Sequence, residues 1–157
     1  MPRTYIVSVE GITVTTVRDL LQIKGAAGKL LRIVRWKWVS FDPTLNTAQM
    51  IPTRCRFLPA TVTDGSAGST ATPRPVDPGD AAASFTCLTN NTTQASSSGT
   101  ATIVDEDSRH LYNGYEQQGT AVPLIGPGQS FTFETLQATT GSPKLSWLAE
   151  VEESGGG

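Results

Sequence analysis

The chain has 157 residues, which suits one domain and is too short for two comfortable ones. Hydrophobic residues make up 38% and charged residues 17%, both below the roughly 45–50% and about 25% of average globular domains. The balance is Thr, Ser, Gly and Pro, which favour strands and turns and therefore predict an all-β domain. The net charge of −2 excludes a general polyanion binder, because counterion release needs a clustered excess of Lys and Arg.

The charges are divided unevenly along the chain. Up to Pro75 there are ten Lys or Arg and four Asp or Glu, and from Val76 onward there are two and ten. A half near +6 therefore precedes a half near −8. Two explanations fit this division. Basic and acidic strands interleave and neutralise each other within one copy, or opposed surfaces of neighbouring copies meet and set their register.

The first part of the chain is rich in β-branched residues. Residues 3–9 alternate as a strand, Gly11 interrupts it, and 12–17 follow as a second short strand or as part of an extended arm. We expect residues 1–17 to form such an arm or a strand of the sheet, and residues 2–9 to pair with a neighbouring copy by strand addition. Residues 19–24 are too few for a stable helix before Gly25 and are predicted as a strand.

The stretch Leu30–Phe41 is the strand around which we expect the core to form. Alternation places Arg32, Trp36 and Trp38 on one, mainly apolar face and Ile33, Arg35 and Lys37 on the other, basic face. Each tryptophan can bury about 150–250 Å², so this strand belongs in a two-layer core.

The next predicted strand, 50–62, also has a basic face. Arg54 and Arg56 share one side, and we expect them to lie near Arg35 and Lys37 as a basic stripe across adjacent strands. Pro52 indicates an edge position or a bulge, because proline has no amide donor for the sheet.

Two long polar connections follow, 64–80 and 90–100, on either side of a strand at 84–89. Residues 80–83 could form one helical turn. The C-terminal third alternates most clearly, with strands at 120–125, 130–136 and 144–151 and a flexible tail at 153–157. The whole chain, 1–157, is thus predicted as a single all-β domain. Its architecture is a jelly-roll or β-sandwich of about eight to ten antiparallel strands with long polar loops.

No motif indicates catalysis, a metal or a cofactor. His110 is the only histidine, and the run Asp105-Glu106-Asp107 places successive carboxylates on opposite faces of a strand rather than in a calcium-loop spacing. A G-x-S-x-G elbow and a phosphate-binding loop are both missing from the sequence. We therefore predict a protein that is not an enzyme and that binds no cofactor and no nucleic acid directly.

The cysteines and the hydropathy pattern indicate the cellular compartment in which we expect the protein. Cys55 and Cys87 fit two buried thiols in a reducing cytoplasm, or a disulfide if their strands meet. The sequence has no signal segment at its start and no apolar run near the ~20 residues of a membrane helix. We expect a protein made and kept in a cytoplasm, with no membrane partner.

Three loop motifs carry a resemblance to a known family. They read Thr72-Pro-Arg-Pro-Val-Asp-Pro-Gly-Asp-Ala-Ala-Ala83, Asn90-Asn-Thr-Thr-Gln-Ala95 and Leu124-Ile-Gly-Pro-Gly-Gln-Ser130, the last before a pair of alternating strands. In this order they resemble small structural proteins of tailed bacteriophages, of the kind that decorate capsids as cement proteins with a jelly-roll-like or β-sandwich body.

The resemblance implies a capsid decoration protein on the virion surface, assembled in the host bacterial cytoplasm. Such proteins commonly associate as homotrimers, sit on the lattice of the major capsid protein and stabilise the expanded head. A phage tail, baseplate or fibre component with a receptor- or carbohydrate-binding role is the alternative, and its candidate sugar-binding aromatics are Tyr112, Tyr115 and Trp147. The residues expected at the interfaces are Tyr5, Val7, Arg35, Lys37, Arg54, Arg56, Pro73, Arg74, Pro75, Asp77 and Asp80.

Overall fold

The structure is a computed structural model and describes residues 1–41, 50–110, 115–118, 122–139 and 141–155. Within these ranges the chain contains strands, turns and loops and no helix. The strands are β1 (Arg3–Thr13), β2 (Arg18–Lys24), β3 (Leu30–Phe41), β4 (Met50–Leu58), β5 (Val62–Thr63), β6 (Ser69–Ala71), β7 (Arg74–Pro75), β8 (Thr86–Asn91), β9 (Ser96–Ser97), β10 (Thr102–His110), β11 (Tyr115–Gln118), β12 (Ser130–Thr135) and β13 (Lys144–Ser154).

These strands form two main antiparallel sheets. One has five strands in the order β11-β3-β13-β1-β7, and the other has six in the order β10-β4-β12-β2-β8-β6. Strands β5 and β9 form a separate two-stranded sheet. The all-β sandwich prediction is confirmed. The described residues hold more strands than the eight to ten expected, because the connections 64–80 and 90–100 contribute the short strands β6, β7 and β9.

An aromatic cluster between the two sheets forms the centre of the core. Trp36 of β3 and Trp147 of β13 come from the five-stranded sheet, and Phe131 and Phe133 of β12 come from the six-stranded sheet. The ring centroids of Phe133 and Trp147 are 4.8 Å apart, and those of Phe131 and Phe133 are 5.1 Å apart. Contacts of this kind add to area burial when the rings meet edge-on or tilted, so they fix how the two sheets stack.

A β-bulge in β3 changes its predicted alternation. Arg35 pairs with Glu150 of β13, but the next pair is Ile33 with Val151, so Val34 is an extra residue. Beyond the bulge the phase reverses: Ile33 is fully buried, and Arg32 points outward and is exposed. The prediction that put Ile33 on the basic face and Arg32 on the apolar face is wrong for this reason.

Strand β4 lies inside its sheet, between β10 and β12, so the edge position predicted from Pro52 is wrong. Proline is tolerated because it stands near the start of the strand, where its carbonyl accepts the N–H of Leu136 at 3.0 Å. Residues 80–83 contain no helical turn. Residues 120–121 of the predicted strand 120–125 lie outside the described residues, and Ile125 makes only an isolated bridge to Leu31.

Both ends of the chain belong to the five-stranded sheet. Strand β1 pairs with β13 along most of its length, and Tyr5 and Ile6 also pair with β7. Tyr5 and Val7 are fully buried in the core, which corrects the prediction of an arm reaching a second copy. The predicted tail at 153–157 is corrected as well, because β13 runs to Ser154 and Glu153 is only 5% exposed. Residues 156–157 lie outside the described residues.

Candidate functional site

The two oppositely charged halves of the chain pair within one copy. Arg3 lies 3.4 Å from Asp80, and Arg35 pairs with both Glu116 and Glu150. Two more ion pairs join the halves, Arg54–Glu134 and Arg56–Glu134. In these five pairs a cation from before Val76 meets an anion from after it, whereas Lys24 and Asp64 pair within the first half. The prediction of neutralisation within one copy is therefore confirmed. Charge contact between copies stays a prediction.

The most buried of these pairs lies on the outer face of the six-stranded sheet. Glu134 of β12 has no exposed surface, and its carboxylate accepts from Arg54, Arg56 and Gln94. The Nε of Arg54 is 3.2 Å from Oε1 of Glu134, and its Nη2 is 3.3 Å from Oε2. Charged groups tolerate burial when they are paired and hydrogen-bonded, so these partners allow Glu134 to occupy the position.

A second buried carboxylate, Asp19 of β2, stands directly opposite Glu134 in the sheet. Its Oδ2 accepts the backbone N–H of Ala95 at 2.6 Å, while its Oδ1 has no partner among the described residues. Desolvation raises the pKa of Asp19 to about 7, and the negative charge of Glu134 adds to that rise. The Ala95 hydrogen bond and the charge of Arg56 act in the opposite direction on this pKa.

A third layer seals this polar cluster from above. It consists of β5, β9 and the loops beside them, and it leaves every residue of β12 buried on both faces of the sheet. Gln22 of β2 donates to Asp64 at 3.0 Å and accepts the N–H of Gly65 at 3.1 Å. A Cβ on Gly65 would come within 2.5 Å of Nδ2 of Asn91, so the layer lies too close for any side chain there. The cluster is thus enclosed and serves to hold β2, β4, β12 and the third layer together, rather than forming an open binding site.

The predicted basic stripe does not exist as one surface. Arg35 and Lys37 point outward from the five-stranded sheet, whereas Arg54 and Arg56 point outward from the six-stranded sheet. The prediction was wrong because it assumed that β3 and β4, which follow each other in the chain, are neighbours in one sheet. Arg54 and Arg56 are half-buried and both pair with Glu134, and Arg56 also donates to the carbonyl of Ala95 at 3.2 Å, so neither is a freely exposed interface residue.

The predicted interface segment 73–80 is ordered along the edge of the five-stranded sheet. Its backbone is fixed by the N–H of Val76, which donates to the carbonyl of Thr4 at 2.9 Å, and Asp80 pairs with Arg3. The carboxylate of Asp77 accepts the N–H of Gly79 at 2.9 Å and closes a turn. Val76 is nevertheless 54% exposed, and Arg74, Asp77 and Gly79 are exposed as well. Pro73, Pro75 and Asp80 are half-buried. This segment is therefore held in place by backbone and ion-pair contacts while several of its side chains stay exposed.

The thiols and the acidic run of β10 offer no reactive site among the described residues. Cys55 and Cys87 are both free and buried, on strands separated by β12 and β2. Burial raises the pKa of Cys87 to about 12 and raises the pKa of Cys55 as well, so both thiols stay protonated at neutral pH. The described residues contain no group of three metal-ligating side chains, and the side chain of His110 lies outside them.

Of the three aromatics proposed for sugar binding, the structure describes only the side chain of Trp147. Trp147 is buried in the core. Tyr112 and the side chain of Tyr115 lie outside the described residues. None of the described segments is a helix that could cross a membrane.

The described residues therefore define a two-sheet β-sandwich with an added third layer. No protein-family model matches the chain, and comparison with curated proteins and with solved structures finds no match either.

Sequence reasoning missed the paired carboxylates Asp19 and Glu134. The signal was present, because each is an acid inside a stretch predicted as a strand of a buried sheet. A carboxylate in that position needs a cationic or hydrogen-bonding partner. The partners could not be assigned from the sequence, because Arg54 and Arg56 reach Glu134 from about eighty residues away in the chain.

Proposed function

We propose that this chain is a structural protein of a tailed-bacteriophage virion. In this proposal it decorates the capsid, binding the lattice of the major capsid protein and stabilising the expanded head, and it is not an enzyme. The observation that supports the proposal concerns residues 72–83, the most specific of the loop motifs that resemble capsid decoration proteins. This segment is both fixed and outward-facing.

A segment that is both held in place and exposed favours a docking role for a physical reason. Binding through a mobile loop costs the conformational entropy of ordering it, whereas a preorganised loop loses little on contact. Here the turn at Asp77, the strand pairing of β7 and the contact of Tyr5 with the carbonyl of Ala81 at 3.0 Å order the segment in advance. Val76 supplies an exposed apolar side chain within this segment.

The body of the protein also suits a role in which it resists force. The aromatic core joins the two main sheets, and the buried ion pairs of Glu134 join β4 to β12 beneath the third layer. A shell protein that withstands internal pressure requires a body that does not deform, and close-packed interiors of this kind have low compressibility.

Co-sedimentation tests the proposal. The purified chain is mixed with empty expanded heads built from the major capsid protein of the same phage, and the pelleted fraction is measured against concentration. We expect saturable pelleting whose affinity Val76→Asp reduces at least tenfold. The matched control is Thr70→Asp, an exposed change on the nearby edge strand β6, which should pellet like the unaltered chain.

If the unaltered chain stays in the supernatant while the heads pellet, the decoration role is wrong. A tail, baseplate or fibre component then becomes the preferred assignment. If the chain pellets but Val76→Asp pellets equally well, the decoration role stands and the assignment of segment 72–83 as its contact fails.

A further inference from the structure

The outer faces of the two main sheets differ in what covers them. On the six-stranded sheet, the third layer buries outward-facing residues such as Thr132 and Glu134. On the five-stranded sheet, none of the described outward side chains of β1, β3 and β13 is buried. One of them, Val39, is apolar and 48% exposed. A sheet face without a covering layer is a candidate surface for association with another molecule.

The charges on this face form stripes that follow the strands. Strand β3 presents Arg32, Arg35 and Lys37, and the adjacent strand β13 presents Glu150 and Glu152. The stripes are in register, since Arg35 stands opposite Glu150 and Arg32 stands opposite Glu152. If a second copy is rotated by 180° about an axis parallel to the strands, its acidic stripe faces the basic stripe of the first copy, and its basic stripe faces the acidic one.

We propose that this face is the contact surface of a two-fold dimer, in which β3 of each copy lies over β13 of the other. The two-fold axis runs parallel to the strands, between β3 and β13. This inference does not depend on the proposed capsid role. It departs from the three copies that the resemblance implies, because a two-fold face closes on itself after two.

The side chains at matching levels fit this arrangement. Val39 stands level with Ser146 in the pairing of β3 with β13, so the valine of one copy would lie over the serine of the other. Ser146 and Ser8 line a shallow groove of about 150 Å³ beside Val39 and Leu148, which gives an apolar side chain a place to enter. Two levels further along, the apolar stem of Lys37 would cover Leu148 of the other copy.

Arg35 and Glu150, the charges at the centre of this face, can form further hydrogen bonds with a second copy. The Nε of Arg35 is 2.6 Å from Glu150, and its Nη1 is 3.4 Å from Glu116, so one guanidinium stands between two carboxylates. These hydrogen bonds raise the pKa of Arg35, with Glu150 as the larger cause. A carboxylate has about four acceptor sites. Each Glu150 can therefore also accept from the Arg35 of the other copy, which would join the two stripes in an alternating square of charges.

The available area is sufficient for a specific dimer. Strands β3 and β13 pair over eleven positions. At about 3.3 Å per residue and about 4.8 Å between strands, β3 and β13 cover about 350 Å² per copy. The same axis places the four paired positions of β11 over the level part of β1, which brings the contact face to about 500 Å² per copy. The total of about 1,000 Å² reaches the lower bound of a biological interface.

Complementary charge reversals test the proposal by sedimentation equilibrium. Arg35→Glu alone and Glu150→Arg alone each place like charges opposite each other twice per dimer. We expect each variant to self-associate about a hundredfold more weakly than the unaltered dimer. Mixed at equal concentration, the two variants should form a one-to-one heterodimer, because two acidic stripes of one variant then face two basic stripes of the other at this level.

The mixing step separates this proposal from loss of folding, since a misfolded variant is not rescued by a partner. Far-UV circular dichroism and thermal unfolding confirm that each variant folds, as exposed ion pairs contribute little to stability. Glu106→Arg, at an exposed position of the edge strand β10, is the control and should leave the dimer unchanged. A monomeric or trimeric unaltered chain, or a mixture that stays monomeric, would overturn the proposal.

Discussion

Replacing Asp19 with asparagine should change how the stability of the fold depends on pH. Asp19 is fully buried, and its folded-state pKa of about 7 lies above the ordinary value of 3.8. Between these two values the folded chain keeps a proton that the unfolded chain has released, so the free energy of unfolding falls as the pH rises. The contribution of Asp19 is thus complete below about pH 4 and is lost as the pH passes about 7.

The size of this effect follows from the pKa shift. About three pKa units at about 1.4 kcal/mol each give a loss of about 4 kcal/mol between about pH 4 and about pH 8. That is a large part of the roughly 5–15 kcal/mol of a typical domain. In Asp19→Asn the side-chain carbonyl can still accept the N–H of Ala95, but no proton is exchanged. The stability of the variant relative to the unaltered chain should therefore rise by about 4 kcal/mol over this range.

Urea denaturation at a series of pH values from about 4 to about 8 measures the difference between the two proteins. The control is Asp77→Asn, which removes a carboxylate from the exposed turn of segment 73–80 and keeps the acceptor for Gly79. The control should follow the unaltered chain in parallel. If the difference between Asp19→Asn and the unaltered chain stays constant with pH to within about 0.5 kcal/mol, the reasoning about the buried carboxylate is wrong.

Three further outcomes follow from the polar cluster and the core. Glu134→Gln should lower the free energy of unfolding by about 3–5 kcal/mol at neutral pH, because it leaves two partly buried arginines without their counter-charge. Urea denaturation measures this loss, and an unchanged urea midpoint would contradict the reasoning. Gly65→Ala should displace the third layer and raise amide hydrogen exchange there, because the added Cβ would lie 2.5 Å from Nδ2 of Asn91. Gly79→Ala should not raise it, because its Cβ meets only a carboxylate oxygen of Asp77 at 3.3 Å. Equal exchange in the two variants would contradict the close contact between Gly65 and Asn91. Cys55 and Cys87 should resist a thiol reagent in the native protein at mildly alkaline pH and react fully in denaturant, because burial keeps both thiols protonated. Rapid labelling of the native protein would contradict this expectation.

The sequence was most informative where a strand alternates without interruption. In β13 strict alternation puts Leu145, Trp147, Ala149 and Val151 on one face, and all four are buried, because a strand that faces a core on one side must alternate with period two. The prediction failed in β3, where the extra residue Val34 reverses the phase, and a bulge leaves no reliable mark in composition. It also failed for the sheet partners of Arg54, since pairing between distant strands is decided by the whole fold and not by local pattern.

The arrangement of the ends of the chain also constrains how the molecule can be made. The first strand pairs with the last along the same sheet, and cations of the early half find their anions in the late half. During synthesis the early half would therefore leave the ribosome as a positively charged chain without these pairing strands and counter-ions. Folding of this sheet must wait until β13 has been made, as in other proteins dominated by non-local contacts. Cut between residues 75 and 76, the two pieces would each be unfolded alone and, with opposite charges, would be well suited to reassemble as a complementing pair.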